Sequence, residues 1–430
     1  MNKILLVTIC LFAASIFGAC QQSDTQISVK NPSDKARTDE VIVVKRSQLG
    51  GEQSEDFLPT VRQGKEVLAS QVDDMDGDGK WDELAFVVDF QANEEKTLTV
   101  VFVANGDYPS FEKRTNLRLG INQGDHTFKE VDHYSAPPAN EPFKIIAQGE
   151  SVAWENDKMG FRVYFDCRNV KDLYGKLKPG MVLDKIHTPE LGDYHKLADW
   201  GMDVLHCGSS LGSGGLAMLE QDSLYRLGST DSYEYQKITE GPVRSVFDLI
   251  YKGWTVGSEK LSAVERISIY PGKYWFQSDV TASGFSGEKQ LVTGIVTSKL
   301  KNEPVEFKAN ADYQAIATLD KQSLNGAGDE LGMAVMLKAD EVTKIARSSD
   351  INYFKEGIKT VPEKNFSIAV SETYYVAQKI SNDKPARHYF ASVWGLENPK
   401  WKKLDEFKAY LSAEADKLSQ PIEVSVGGLK

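Results

Sequence analysis

Short segments rich in β-branched and aromatic residues recur through this chain about every ten to twenty residues, separated by Gly, Asn, Asp and Pro. The clearest are "EVIVVKR", "LAFVVDF", "TLTVVFV", "GFRVYFD", "GPVRSVFDLIY", "AVERISIY", "YWFQSDVTA", "GIVTSKL", "AIATLD", "GMAVML" and "NFSIAVSE". Side chains alternate across a strand, so such a chain must bury sheet faces against one another. Helical periodicity is scarce between the segments. This argues against βαβ units and predicts a mainly β chain, a large antiparallel β-sandwich. The polar "QANEEK" between "LAFVVDF" and "TLTVVFV" reads as a hairpin turn. One helix stands out near the end: Trp401, Leu404, Phe407, Leu411 and Leu418 fall on one face, and Pro421 stops it. That face is expected to pack on the sandwich, with "IEVSV" following as a last strand. "SAPPANEP", 135–142, is the best internal linker of a 27–430 β-domain, marking either a division or a long loop.

A hydrophobic fraction of 41% suits a well-buried core. The net charge of −12, with no basic patch, argues against nucleic acid as a partner. An anionic sugar stays open, because a local Arg and Lys cluster can sit on an acidic protein.

Residues 1–19 read as a signal peptide: Lys3 precedes an apolar run, Ile4 to Phe17, that is short for a membrane span. The run ends in "FGAC", which resembles the lipobox of bacterial lipoproteins and makes Cys20 the lipidated N-terminus. An ordinary secretory peptide is the alternative. Residues 20–26 then form a polar tether. The expected location is the bacterial cell envelope, lipid-anchored in the periplasm or at the outer-membrane surface. Two cysteines remain, Cys167 and Cys207, as a disulfide or as two buried thiols.

"DDMDGDGKWDEL", 73–84, crowds six carboxylates into one turn. Asp74, Asp76, Asp78 and Asp82 stand at positions 1, 3, 5 and 9 of an EF-hand-type loop, Gly79 takes position 6, and the Lys80 carbonyl suits position 7. Position 12 is Ala85 instead of a bidentate Glu, and the flanks are strands. The loop therefore reads as a structural Ca²⁺ staple, with a solvated acidic turn as the alternative.

Chemically capable residues concentrate between 160 and 215. His187 and His195 lie in a polar loop and suit general acid/base work; His206, between Leu205 and Cys207, reads as a core histidine. Tyr164 and Tyr194 could protonate a leaving oxygen. Arg162, Arg168 and Lys176 could meet a substrate carboxylate, and Trp200 offers a face for a sugar. Glu190, Asp193, Asp199 and Asp203 are the carboxylates that a hydrolase would need. No metal motif of HExxH type and no P-loop is present.

Taken together, "VDDMDGDGKWDELAF", "GFRVYFDCRN…LYGK", "DYHKLADWGMDVLHCGSSLGSGGL", "EGPVRSVFDLIY" and the closing "YFASVWGLENP…FKAYLSAEADKLSQPIEV" resemble domain-of-unknown-function family 4861. The resemblance implies a galactose-mutarotase-like supersandwich in an envelope lipoprotein that accompanies polysaccharide-utilisation systems. It transfers no catalytic residues. The expected function is a carbohydrate-active enzyme, a lyase or hydrolase of uronate-containing oligo- or polysaccharide. The alternatives are a non-catalytic carbohydrate-binding lipoprotein and a sugar epimerase or mutarotase.

Overall fold

The computed structural model describes residues 25–50, 54–136, 146–228, 230–351 and 369–427. The signal peptide and Cys20 lie outside them. Among the described residues no helix is long and apolar enough to cross a membrane.

The chain is mainly β, and its larger part is a two-layer antiparallel sandwich. One layer is a nine-stranded sheet, ordered His133–Ala136, Ser232–Glu240, Ser245–Val256, Glu259–Ile269, Trp275–Ser283, Pro385–Trp394, Leu331–Lys338, Tyr313–Asp320 and Val305–Lys308. Two five-stranded sheets oppose it. The first, here the site sheet, runs Gly201–Asp203, Lys171–Lys176, Met159–Tyr164, Ser151–Asn156, Thr115–Arg118. The second runs Ser223–Arg226, Ser213–Glu220, Glu288–Val296, Thr373–Ser381, Val342–Arg347, and a parallel bridge between Lys171 and Gly212 joins the two. Between the layers Trp154, Phe161, Phe247, Phe276 and Phe390 form one aromatic core. Lys171 crosses it, with Nζ 2.8 Å from Glu265 Oε1. A buried charge is tolerated there because it is paired and hydrogen-bonded.

A smaller sandwich has its own core of Ile27, Val29, Ile42, Val44, Leu84, Phe86, Leu98 and Val100. One of its sheets contains Thr25–Lys30, so the last two residues of the expected tether are sheet. That sheet also takes in Glu95–Ala104, Phe57–Gln63, Glu66–Val67 and the final strand Glu423–Val426. The other holds Arg37–Lys45, Glu83–Phe90 and Ser70–Asp73. The expected hairpin around "QANEEK" is therefore absent. Glu83–Phe90 and Glu95–Ala104 belong to opposite sheets, and residues 91–94 arch over the core between them. Both strands bury one face, and alternation alone cannot tell pairing beside from packing across.

The two cores part between Tyr108 and Thr115, whereas Leu117, Leu119 and Ala136 on one side of the Pro-rich stretch share a core with Ala147 and Val152 on the other. Residues 137–145 lie outside the described residues. So do 365–368 of "NFSIAVSE", and residues 369–372 are not strand, which resumes at Thr373. The C-terminal helix, Leu404–Ser419, buries Phe407, Leu411 and Ala415. Trp401 packs from the 3₁₀ turn before it, 5.0 Å from the Tyr274 ring.

Candidate active site

Along Met159–Tyr164, Phe161 and Val163 enter the sandwich core, so Arg162 and Tyr164 take the opposite face. On the next strand Asp172 and Tyr174 share that face, with Asp172 directly across from Arg162 and Tyr174 across from Asp203. Gly160 makes room: a Cβ there would lie 3.1 Å from Tyr174 Cβ. The segment 177–200 folds over this face. Glu155 pins its start, accepting the Val182 and Leu183 amides at 2.7 and 2.8 Å. At its end, the Asp203 amide donates to the Tyr194 carbonyl at 2.9 Å.

Arg162 is the centre. Its Nη2 lies 2.6 Å from both Asp172 Oδ2 and Asp203 Oδ2, and donates to Tyr164 OH at 2.9 Å. The rings of Tyr164, Tyr174 and Tyr194 surround the guanidinium at 4.7, 5.1 and 5.8 Å. Burial drives the Asp203 carboxyl up, to about 8; the Asp172 charge adds to this and Arg162 opposes it. Burial likewise raises Tyr164, Tyr174 and Tyr194, so these phenols keep their protons, and Tyr164 OH donates to Asp172 Oδ2 at 3.1 Å.

The expected residues divide. Arg162, Tyr164, Tyr194 and His195 converge. His195 is 59% exposed; Nδ1 lies 3.3 Å from Asp193 Oδ1, and Nε2 lies 4.0 Å from Asp203 Oδ2. Its ring stacks 4.1 Å from Tyr194. His187 stands further out, 6.1 Å from the Tyr194 ring, and burial beside His126 lowers its pKa. Trp200 packs with Tyr174 and Tyr194 in a small apolar cluster instead of presenting an open face. Arg168 lies over Tyr164, paired with Asp166 and with Glu150 at 3.1 Å.

Lys176 is not a substrate contact. It is sealed in the sheet, with Nζ 2.6 Å from Glu155 Oε2 and 2.7 Å from the Asn156 carbonyl. Of the four hydrolase carboxylates Asp203 enters the cluster and Asp193 meets His195 at its rim, whereas Glu190 pairs with Lys185 and Asp199 with Lys178 at the surface. His206 is exposed, not a core residue. Both Cys167 and Cys207 are free thiols. Sequence reasoning missed Asp172, whose available signal was its place in the alternation of "KDLYGK".

The acidic turn separates into two jobs. Asp73 and Glu83 point inward, each 2.6 Å from Arg244 Nη2 of the large sandwich. Asp74, Asp76 and Asp78 offer carboxylate oxygens within 4.8 Å of one another, a donor set that fits a hard cation. Asp82 is turned to the Met75 amide at 2.7 Å.

This fold and arginine-centred site define a large β-sandwich protein with a carboxylate–imidazole pair on one sheet face. The chain belongs to the family described as "Domain of unknown function (DUF4861)", which matches residues 29–424. Uncharacterized protein P7 of Formosa agariphila is 26% identical over 437 residues, covering 96% of this chain and 97% of that protein. Among solved structures, an alpha-mannosidase from Enterococcus faecalis is 8% identical with a TM-score of 0.44; the match covers 94% of this chain but only 46% of that one. A Klebsiella pneumoniae protein assigned as an aldose 1-epimerase is 9% identical with a TM-score of 0.31, covering 71% of this chain and 96% of that one.

Proposed function

We propose that the protein is a carbohydrate-active enzyme that moves protons between neighbouring atoms of one sugar unit. The observation that carries this reading is the 4.0 Å separation of Asp203 Oδ2 and His195 Nε2. Asp203, protonated near neutrality, supplies the proton; His195, oriented by Asp193, accepts one. Inverting hydrolysis needs carboxyls roughly 6.5–9.5 Å apart to admit water, and Asp172 lies buried beneath Arg162. A uronate lyase needs a cation free for the substrate carboxylate, but Arg162, Arg168 and Lys176 each already face carboxylates. Ring opening or epimerisation of a neutral sugar unit suits the site best. Lipidation of Cys20 and anchoring in the envelope complete the proposal, resting on the "FGAC" leader.

The test is a panel of neutral and acidic sugars followed in parallel by nuclear magnetic resonance of anomeric and epimeric signals, ultraviolet absorbance and reducing-end release. Interconversion that is lost in Asp203→Asn and His195→Ala supports the proposal. New double bonds would restore the lyase reading, and new reducing ends without them the hydrolase reading.

A further inference from the structure

The hairpin Gly120–Gly124/Thr127–Glu130 stands beside the active site as a two-stranded sheet of its own. Its two-residue connection is Asp125 and His126, with φ of 49° and 57°. Tight hairpin turns favour such positive φ, and Asn-Gly is the usual solution because a larger side chain there is strained. Holding a histidine at that place costs stability, and such outliers cluster where a side chain has a task. His187 shows the same feature from the covering segment, with φ of 61°. The two strained histidines face each other, ring centroids 6.3 Å apart.

They belong to a row of rings. Phe128 lies 5.9 Å from His187, His187 lies 6.1 Å from Tyr194, and Tyr194 lies 4.1 Å from His195 at the reacting pair. His126 is exposed and Phe128 and His187 are half-buried, whereas Tyr194 is buried, so the rings open to a ligand are His126, Phe128 and His187, with Tyr194 linking them to His195. The Asn122 amide of the hairpin donates to the Ile146 carbonyl at 2.9 Å. Two residues on, Gln148 ties the end of the site-sheet strand Thr115–Arg118 to the covering segment. Its Oε1 accepts from Arg118 Nε at 2.8 Å, and its Nε2 donates to the Ile186 carbonyl at 2.6 Å, next to His187. The row is thus held on both sides and leads outward from Asp203.

We infer that this row is a binding platform for further sugar units, so that the reacting unit belongs to a glycan chain and is not a free monosaccharide. The inference rests on the carbohydrate reading above. Ring faces accept the CH faces of successive sugars, and polar imidazole edges can meet hydroxyls. A free monosaccharide would be served by His195, Asp203 and Tyr164 alone, leaving the strain at His126 without a use.

The test measures affinity against chain length, by calorimetry with gluco-, manno-, galacto- and xylo-oligosaccharides from one unit upward. In the unaltered protein affinity should rise with length. His126→Gly relieves the positive-φ strain, so the fold is kept and melting temperature should not fall. It should reduce the gain from added units by about five- to tenfold, and Phe128→Ala should do the same. Equal length dependence in the unaltered protein and both variants overturns the platform while leaving the active-site reading intact. Failure of the unaltered protein to bind any panel member overturns the carbohydrate reading, and the platform with it.

Discussion

Asp203 and His195 meet at 4.0 Å across the boundary between buried and open protein, the carboxyl side chain 3% exposed and the imidazole 59%. The contact places a group that holds its proton because it is buried beside a group that solvent can reach. It also makes protonation of the site a contributor to stability with a defined sign.

The Asp203 carboxyl titrates near 3.8 as a free side chain and at about 8 in the fold. Between those values the folded state holds a proton that the unfolded chain has released. The contribution is thus fully present below pH about 4 and is lost as pH rises through about 8, with a slope of at most ~1.4 kcal/mol per pH unit. Asp203→Asn keeps a neutral group at every pH. Melting curves across pH 4–9 should show the unaltered protein losing ground relative to Asp203→Asn as pH rises. A constant difference would mean that Asp203 is ionised throughout.

Arg162→Met should be among the most destabilising single changes in the large sandwich. It leaves Asp172 and Asp203 buried without their shared cation, and breaking a buried pair from one side costs about 3–5 kcal/mol. Protonation of Asp203 offsets part of this at low pH, so the loss seen in urea melts should be greater at pH 8 than at pH 5. The double variant Arg162→Met/Asp203→Asn should recover part of it.

Much of this arrangement was legible in the sequence, because strand alternation is local. "GFRVYF" reveals one core face and one site face, and that is why Arg162 and Tyr164 stood out. Register is not local. Asp172 lies ten positions from Arg162 and becomes its partner only through strand pairing. Lys176 has the composition of a ligand-binding residue, yet Glu155 on a strand two places away in the sheet claims it. The arch at 91–94 was hidden for a related reason, since two half-buried strands look alike whether they pair or pack.

Arg244 provides a test of how the two sandwiches are joined. It reaches from the large sandwich to Asp73 and Glu83, residues 171 and 161 positions away. Asp73 is almost wholly buried and also accepts from Gln71 and Thr239. Arg244→Met should therefore cost about 3–5 kcal/mol by leaving Asp73 uncompensated. Limited proteolysis should begin to cut between Tyr108 and Thr115, where the two cores part. Arg46→Met, which removes a partly exposed ion pair to Glu55 instead, should cost about 1 kcal/mol or less and leave the cleavage pattern unchanged.

Because Arg244 neutralises Asp73 and Glu83, the repulsion left in the acidic turn is concentrated on Asp74, Asp76 and Asp78. Their oxygens already converge within 4.8 Å, an arrangement that costs Coulomb energy unless a cation shares it. The expectation is that Ca²⁺ binds there in the weak range of extracellular modules, roughly 10⁻⁴–10⁻³ M. At a calcium concentration ten times the dissociation constant, binding adds about 1.4 kcal/mol to stability. Chelator should therefore lower the melting temperature of the unaltered protein by a few degrees. Asp76→Asn, which removes one charge and leaves the inward clamp alone, should lose most of that response. The turn joins two strands of the small sandwich and Asp203 belongs to the large one, so chelation should leave initial rates at ambient temperature unchanged. A melting temperature indifferent to both calcium and chelator would mean that the turn is held by amide-to-carboxylate hydrogen bonds, those from the Gly77 and Gly79 amides to the Asp74 side chain among them, without an ion.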